Sequence, residues 1–354
     1  MRLPALVLGL AILVQQVAPV PQLPSSSFAE WLDGVRAEAK SRGISDTTIA
    51  HALDGLEPLP IVVERDRSQA EIVETLDHYL QQHVSARVIA TARTKLAGQA
   101  ALLKTVQDRY GVPSGVIVAV WGLESNFGRF SGVRPTIQTL ATLAYDPRRS
   151  ALFRDELFDA LQILDSGDVQ VAAMRGSWAG ALGQPQFMPS SFLRYAQDFD
   201  GDGKRDIWHS TADVFASIGN YLAEKGWTRD KPWGREVTVP ATALAGLPEH
   251  APLQTEGCLA RRQMTVPLPI AAWNEMGLRT KSGAAIPESD LDASLVSGVK
   301  RHFLVFPNYQ ALLEYNCVNA YGLSVALLAD ASNLKSTKDT KGTKHTKTKK
   351  KTDP

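Results

Sequence analysis

A chain of 354 residues, 44% of them apolar, can bury a substantial core and hold more than one packing unit. The net charge of +1 hides an asymmetry: eight lysines and two aspartates after Leu334 put +6 on the tail and leave −5 on everything before it. An acidic body excludes the strongly basic surface of a nucleic-acid binder, and after the first residues no stretch of roughly 18 uncharged apolar residues offers a membrane span.

The opening run "MRLPALVLGLAILVQQVAP" sets an arginine before an apolar core and small residues. It is too short and too poorly flanked for a transmembrane helix, and it reads as a secretory signal over residues 1–20, ending near Ala18. No cysteine follows to carry a lipid, so the expectation is an exported, soluble chain without stable membrane insertion. Residues 26–112 read as a helical region. Phe28, Trp31, Leu32, Val35 and Ala39 share one helical face, and "SARVIATARTKLAGQAALLKTVQDRYG" continues in the same style to a stop at Gly111. Pro113 suits the first turn of a new helix, and residues 113–228 stay mainly helical around two glycine-rich loops. After "KPWG" the runs "REVTVP", "RRQMTVPLP" and "HFLVFP" predict strands of a small β-rich insertion over 229–317. Helix returns with "NYQALLEYN" and "AYGLSVALLAD", the second over 318–332 and rejoining the first helical region. The tail, 333–354, is low in complexity and is expected to be disordered, either as a solubilising end or as a loose adhesive for an anionic polymer. The fold class is mainly α, of α+β type. Cys258 and Cys317, an even pair in an exported chain, read as one disulfide.

The stretch "GVIVAVWGLESNFGRFSG" places one acid, Glu124, at the end of an apolar run. Ile117, Val120, Trp121 and Glu124 fall on one helical face, so the carboxyl shares that face with groups that exclude water. Desolvation raises a carboxyl pKa, as a general acid near neutral pH requires. Gly122 and Gly128 are expected to leave room for a ligand near the backbone. The alternative is an ordinary glutamate in a last helical turn, exposed or paired with Arg129.

Three stretches, "VIVAVWGLESNFGRFSG", "GSWAGALGQPQFMPSSFLRYAQDFDGDGKRDIW" and "YNCVNAYGLSVALLAD", occur in order along residues 28–330 and resemble the B-type lytic murein transglycosylases. The resemblance implies a lysozyme-like helical core with an additional helical region and a small inserted β module. It also implies cleavage of the β-1,4 bond between N-acetylmuramic acid and N-acetylglucosamine in peptidoglycan, leaving a 1,6-anhydromuramoyl end. Glu124 would be the single acid and then base, with no catalytic cofactor. Ser177 and Gln186 match positions that line the family's cleft, although both residue types also serve turns and loop packing. Tyr315, Asn316 and Tyr321 would line the cleft, with Tyr79 approaching from the opposite side; core tyrosines with one satisfied hydroxyl are the alternative. Arg148 and Arg149 could meet stem-peptide carboxylates or form a solvated pair.

In "DFDGDGKRDIWH", Asp198, Asp200 and Asp202 take positions 1, 3 and 5 of an EF-hand-like loop, with Gly203 at 6 and the Lys204 carbonyl at 7. His209 stands at position 12 in place of the bidentate Glu. The family uses a later Asp, which Asp213 matches with a one-residue difference in length; a capping pair with Ser210 is the other reading of Asp213. A structural Ca2+ is expected here. The partner expected is the glycan strand of peptidoglycan, met in the periplasm by a monomer. A lysozyme-type hydrolase and a wall-binding protein without activity remain the competing readings.

Overall fold

The computed structural model describes residues 27–67 and 75–333; the expected signal and nearly all of the lysine-rich tail lie outside them. The described chain begins with helices α1 (Phe28–Ser41), α2 (Asp46–Leu53), α3 (Pro60–Arg67), α4 (Leu76–His83), α5 (Ala86–Gly98) and α6 (Ala100–Tyr110). Their starts follow local chemistry. Ser27 and Glu30 close a reciprocal capping box on α1, and Ser45 and Thr75 cap α2 and α4 with their hydroxyls. Leu32, Val35 and Ala39 of the expected α1 face are buried. The continuous helix expected after Ser85 breaks at Gln99, and Gly111 ends α6 in the left-handed conformation with φ 75°.

Helix α7 (Ser114–Ser125) opens after Pro113, which stands at its N-cap rather than inside its first turn. No charge interrupts it before Glu124, and Val116 through Trp121 are buried on every side. A helix apolar all round belongs in the centre of a bundle, and α7 packs against α5 and α6. A short antiparallel ribbon, β1 (Arg134–Pro135) with β2 (Arg175–Gly176), flanks α8 (Thr136–Tyr145) and α9 (Ser150–Asp165), which pack on each other. Helix α10 (Pro189–Tyr195) starts at Pro189, and Glu156 of α9 caps it by accepting from Ser190 N–H at 2.9 Å and from its hydroxyl at 2.7 Å. Helix α11 (Thr211–Glu224) closes another side of α7.

The expected insertion holds β3 (Gly234–Thr238), α12 (Ala241–His250), α13 (Leu259–Arg262), α14 (Ile270–Glu275), β4 (Arg279–Thr280), β5 (Ser294–Ser297) and β6 (His302–Val305). The strands form one antiparallel sheet in the order β4-β3-β6-β5. Both faces of its β5–β6 half are buried. Val237, Leu295, Leu304 and Phe306 join a small core around Trp273, whereas Val296, Phe303 and Val305 join the main core. Alternate residues of a strand point to opposite faces, so a strand buried on both reads as the nearly unbroken apolar run "FLVF". One strand expectation fails. "RRQMTVPLP" contributes the end of α13 and isolated bridges from Met264 to Val296 and from Leu268 to Ala293. Pro267 and Pro269 cannot donate to a ladder, and β5 takes the place beside β6 instead.

Helices α15 (Pro307–Tyr315) and α16 (Asn319–Asn333) bring the chain back to the main core, and α16 lies against α4, α5 and α7. Cys258 at the N-cap of α13 is bonded to Cys317 between these last two helices, with Cα atoms 6.4 Å apart. The same junction carries an Arg261–Glu314 ion pair at 2.7 Å and a hydrogen bond from the Asn319 amide to the Ala260 carbonyl at 2.8 Å. The disulfide closes a span of 59 residues, for which loss of chain entropy on unfolding predicts about 4 kcal/mol. Replacing both cysteines by serine is expected to lower unfolding free energy in urea by about 2–4 kcal/mol. Because the neighbouring ion pair and amide bond persist, the far-UV circular dichroism of that variant should match the parent below the transition.

Candidate active site

Glu124 stands in the last turn of α7, where it is half-buried: its rim meets solvent while protein surrounds it on nearly every other side. That enclosure pushes its pKa up to about 7, with desolvation as the main cause. The carbonyl end of the helix acts in the same direction, because partial negative charge there disfavours a carboxylate. Arg129 does not neutralise it; among the described residues Glu124 has no ion pair.

Tyrosines surround the acid. Tyr321 from α16 lies close enough to pull its pKa slightly down, yet the buried phenol makes no hydrogen bond of good geometry. Tyr315 from α15 lies near the same carboxyl, its ring stacked 6.4 Å from that of Tyr321. Burial first, and the Glu124 charge second, hold both phenols far above their usual range, so both stay protonated as donors. Tyr79 of α4 reaches the electrostatic neighbourhood of Tyr321 while its own ring stacks on His83 at 3.9 Å. Four of the expected residues, Glu124, Tyr315, Tyr321 and Tyr79, are therefore brought together from four separate helices.

The loop over 177–187 is built by its own polar groups. The Ser177 hydroxyl accepts from the N–H groups of Ala179 and Ala181 at 3.2 and 3.1 Å, closing the turn. Gln186 has φ 55° and donates its side-chain amide to the Gly183 carbonyl at 2.7 Å, leaving its oxygen as the group still to be used. Tyr315 donates to the Pro185 carbonyl at 2.7 Å and so fixes this loop to the tyrosine cluster. Asn316 is exposed, just past the end of α15. Arg148 and Arg149 both pair with Asp66 of α3, so their charges are met inside the chain.

Gly122 and Gly128 serve neighbours in the protein, not an adjacent ligand. A Cβ at Gly122 would meet the Phe127 ring at 2.6 Å, and one at Gly128 would meet Gln184 Oε1 at 2.7 Å. Gln184 is the residue that sequence reasoning missed. Buried, it accepts from the Trp121 indole at 2.6 Å and donates to the Trp208 carbonyl at 2.7 Å, tying helix α7 to the glycine-rich loop and the acidic loop at once. Its only signal was a second glutamine in "GQPQF".

In the acidic loop, the carboxylates of Asp198, Asp200 and Asp202 bring oxygens within 4.8 Å of one another, all exposed. The Lys204 N–H donates to Asp202 at 2.9 Å. Asp213 is buried and accepts from Phe199 N–H and Asp206 N–H, both at 2.8 Å, while its own N–H is capped by Ser210. Burial nevertheless pushes its pKa up. Asp213 thus ties the two ends of the loop together.

The raised pKa of Glu124 also sets a stability window. Between the ordinary carboxyl value of about 4.5 and about 7, the folded chain holds a proton that the unfolded chain has lost, so stability falls as pH rises through that interval. Glu124→Gln is therefore expected to raise the melting temperature by a few degrees at pH 8 and to leave it within a degree at pH 4, measured by calorimetry.

Residues 27–330 match the transglycosylase SLT domain family. Membrane-bound lytic murein transglycosylase B of Escherichia coli is 32% identical over 225 residues, 63% of this chain, and the chain spans 57% of that relative's length. SltB3 of Pseudomonas aeruginosa, solved in complex with NAG-anhNAM-pentapeptide, is 40% identical with a TM-score of 0.79, over 87% of this chain and 80% of that one. The lytic transglycosylase Slt35 of Escherichia coli, solved in complex with calcium, shares the fold at 24% identity and a TM-score of 0.71, over 87% of this chain and 93% of that one. The mainly helical, lysozyme-like architecture with its small sheets and the long sequence match agree: the chain belongs to the transglycosylase SLT domain family.

Proposed function

We propose that the chain is a lytic transglycosylase of peptidoglycan glycan strands. One observation carries this reading: Glu124, its pKa raised to about 7, has tyrosines as its electrostatic neighbours and no second carboxyl coupled to it among the described residues. Hydrolysis by paired acids needs a second carboxylate about 5–9.5 Å away to activate water or attack the sugar. With one acid, the nucleophile can be supplied by the substrate itself. Protonated Glu124 gives its proton to the bridging oxygen as the bond from muramoyl C1 to that oxygen breaks. The substrate's N-acetyl group supports the cationic carbon. The carboxylate then takes the proton of the muramoyl C6 hydroxyl, whose oxygen bonds C1, and Glu124 is restored with no water consumed. A pKa near 7 suits a group that must donate and then accept. The neutral phenol of Tyr321 supplies a donor beside the reacting sugar, and Tyr315, whose hydroxyl is held by the Pro185 carbonyl, supplies a ring face.

Such a substrate lies outside the cytoplasm, and the apolar run over 1–20 would direct export. Among the described residues no helix is long and apolar enough to cross a membrane. The chemistry of the acidic loop fits a hard cation: three carboxylates in EF-hand order, around a turn at Gly203 with φ 88°. Asp198, Asp200 and Asp202 would hold Ca2+ with the Lys204 carbonyl, and the ion would steady the loop that Gln184 joins to α7.

Muropeptides released from purified sacculi are expected to carry 1,6-anhydro ends by mass spectrometry; reducing muramic acid ends would instead mark a hydrolase, and no release a binding protein. Glu124→Gln should cost at least about a hundredfold in turnover, and kcat/KM of the parent should fall as pH rises above about 7. For the loop, chelation should lower the melting temperature and added Ca2+ restore it, since an ion bound only to the folded chain stabilises by mass action. Asp198→Ala should abolish that response.

A further inference from the structure

Helix α4 carries Tyr79 towards the acid, yet it is short and thinly buried. Of its eight residues only Leu80 is buried, and the helix packs against α16. A helix of that length does not hold its place without tertiary anchors. Its polar anchor is Asp77, whose Oδ2 accepts from Val299 N–H at 3.0 Å and from Lys300 N–H at 3.1 Å, in the turn that joins β5 to β6. The turn is shaped for this contact. Gly298 N–H donates to the Arg301 carbonyl at 2.8 Å and closes it. A Cβ on Gly298 would stand 3.1 Å from Leu76 Cδ2 and 3.2 Å from an oxygen of Asp77, the same Oδ2. Asp77 Oδ1 is buried and has no hydrogen-bond partner among the described residues, so the carboxyl is engaged through the turn. Cavities of about 660 and 730 Å³ lie beside the contact, and Thr75 and Val299 border both. Close packing therefore does not fix this junction, and the two charge-assisted bonds carry more of the task.

We infer that Asp77 is a positioning residue for the proposed reaction: by accepting from the β5–β6 turn it fixes the helix that carries Tyr79, and so sets that ring against the sugar bound at Glu124. The inference rests on the peptidoglycan reading above, with Tyr79 as one wall of the cleft. Side chains two apart on a helix point about 200° apart around its axis. Asp77 thus meets the turn on one side of α4, while Tyr79 on the other reaches the neighbourhood of Tyr321. The bonded residues are 222 and 223 positions apart, so the expected insertion acts on the cleft through α4 as well as through the helices that follow it.

A ring that binds the sugar equally before and during reaction affects KM more than kcat. Asp77→Ala is expected to raise KM for glycan strands about tenfold, the scale of one charge-assisted hydrogen bond, with kcat within about twofold of the parent. Asp77→Asn, which keeps an acceptor, should return KM to within about threefold of the parent. In a Tyr79→Ala background, Asp77→Ala should add less than about twofold, because the two residues act through one contact. Amide hydrogen exchange at Val299 and Lys300 should quicken in Asp77→Ala while that of α7 is unchanged. If Asp77→Ala does not fold, Gly298→Ala, which crowds the same oxygen from the turn, carries the cycle and should raise KM only when Tyr79 is present. An unchanged KM well below the melting transition, a full penalty without Tyr79, or an Asn variant no better than Ala overturns the inference. If the parent releases no anhydro product, the catalytic reading fails separately. Retention of the Glu124→Gln chain on sacculi then reads the same contact without turnover: weaker retention with Asp77→Ala supports it, and equal retention overturns it.

Discussion

Holding a carboxyl at the end of a wholly apolar helix is the constraint on which the rest of the site depends. For the proposed chemistry, water must be kept from most of Glu124 without being kept from the face that would meet the sugar, and no cation may come close enough to fix the charge. Helix α7 meets the first requirement by lying inside a ring of other helices. The tyrosines meet the second: they border the acid with polar groups that can donate a proton to a hydrogen bond but carry no charge. The penalty appears as a pKa near 7, and a protein that stabilised Glu124 with an arginine would be a firmer fold and a poorer acid.

Much of this was legible because it is local. The helical faces of α1 and α7, the stop at Gly111, the acid at the end of "GVIVAVWGL" and the order of the acidic loop all follow from spacing and residue type. What escaped was decided by groups distant in the chain. Whether Arg148 meets substrate or solvent depended on Asp66, which no spacing rule connects to it. Gly122 and Gly128 signalled close approach correctly, but the approaching groups are Phe127 and Gln184. The mistaken strand at "RRQMTVPLP" had the right composition; a proline at every second position near its end denied it the ladder that β5 could form.

Polar side chains with two partners recur at the joins between these elements. Gln184 joins α7 to two loops, Glu156 seats the start of α10, and Asp213 closes the acidic loop on itself. Each is buried and satisfied, so each adds direction to packing that apolar contacts alone would leave free to slide. The position of Glu124 is thereby set in part by side chains that are themselves buried and fully engaged within the chain.

The sheet of the insertion, buried on both faces in its β5–β6 half, bears on how the molecule comes together. A sheet with one wet face can dock late or swing away; this one has Val296, Phe303 and Val305 in one core and Leu295, Leu304 and Phe306 in the other. Neither core is complete without it. Tyr315 and Tyr321 follow that sheet in the chain, so the acid acquires its phenolic neighbours only after the whole insertion has been laid down and seated. Contacts between residues so widely separated are slow to form. A half-made chain therefore carries the acid without its surroundings, and competence for the proposed chemistry arrives with the last helices rather than with the helix that bears the acid.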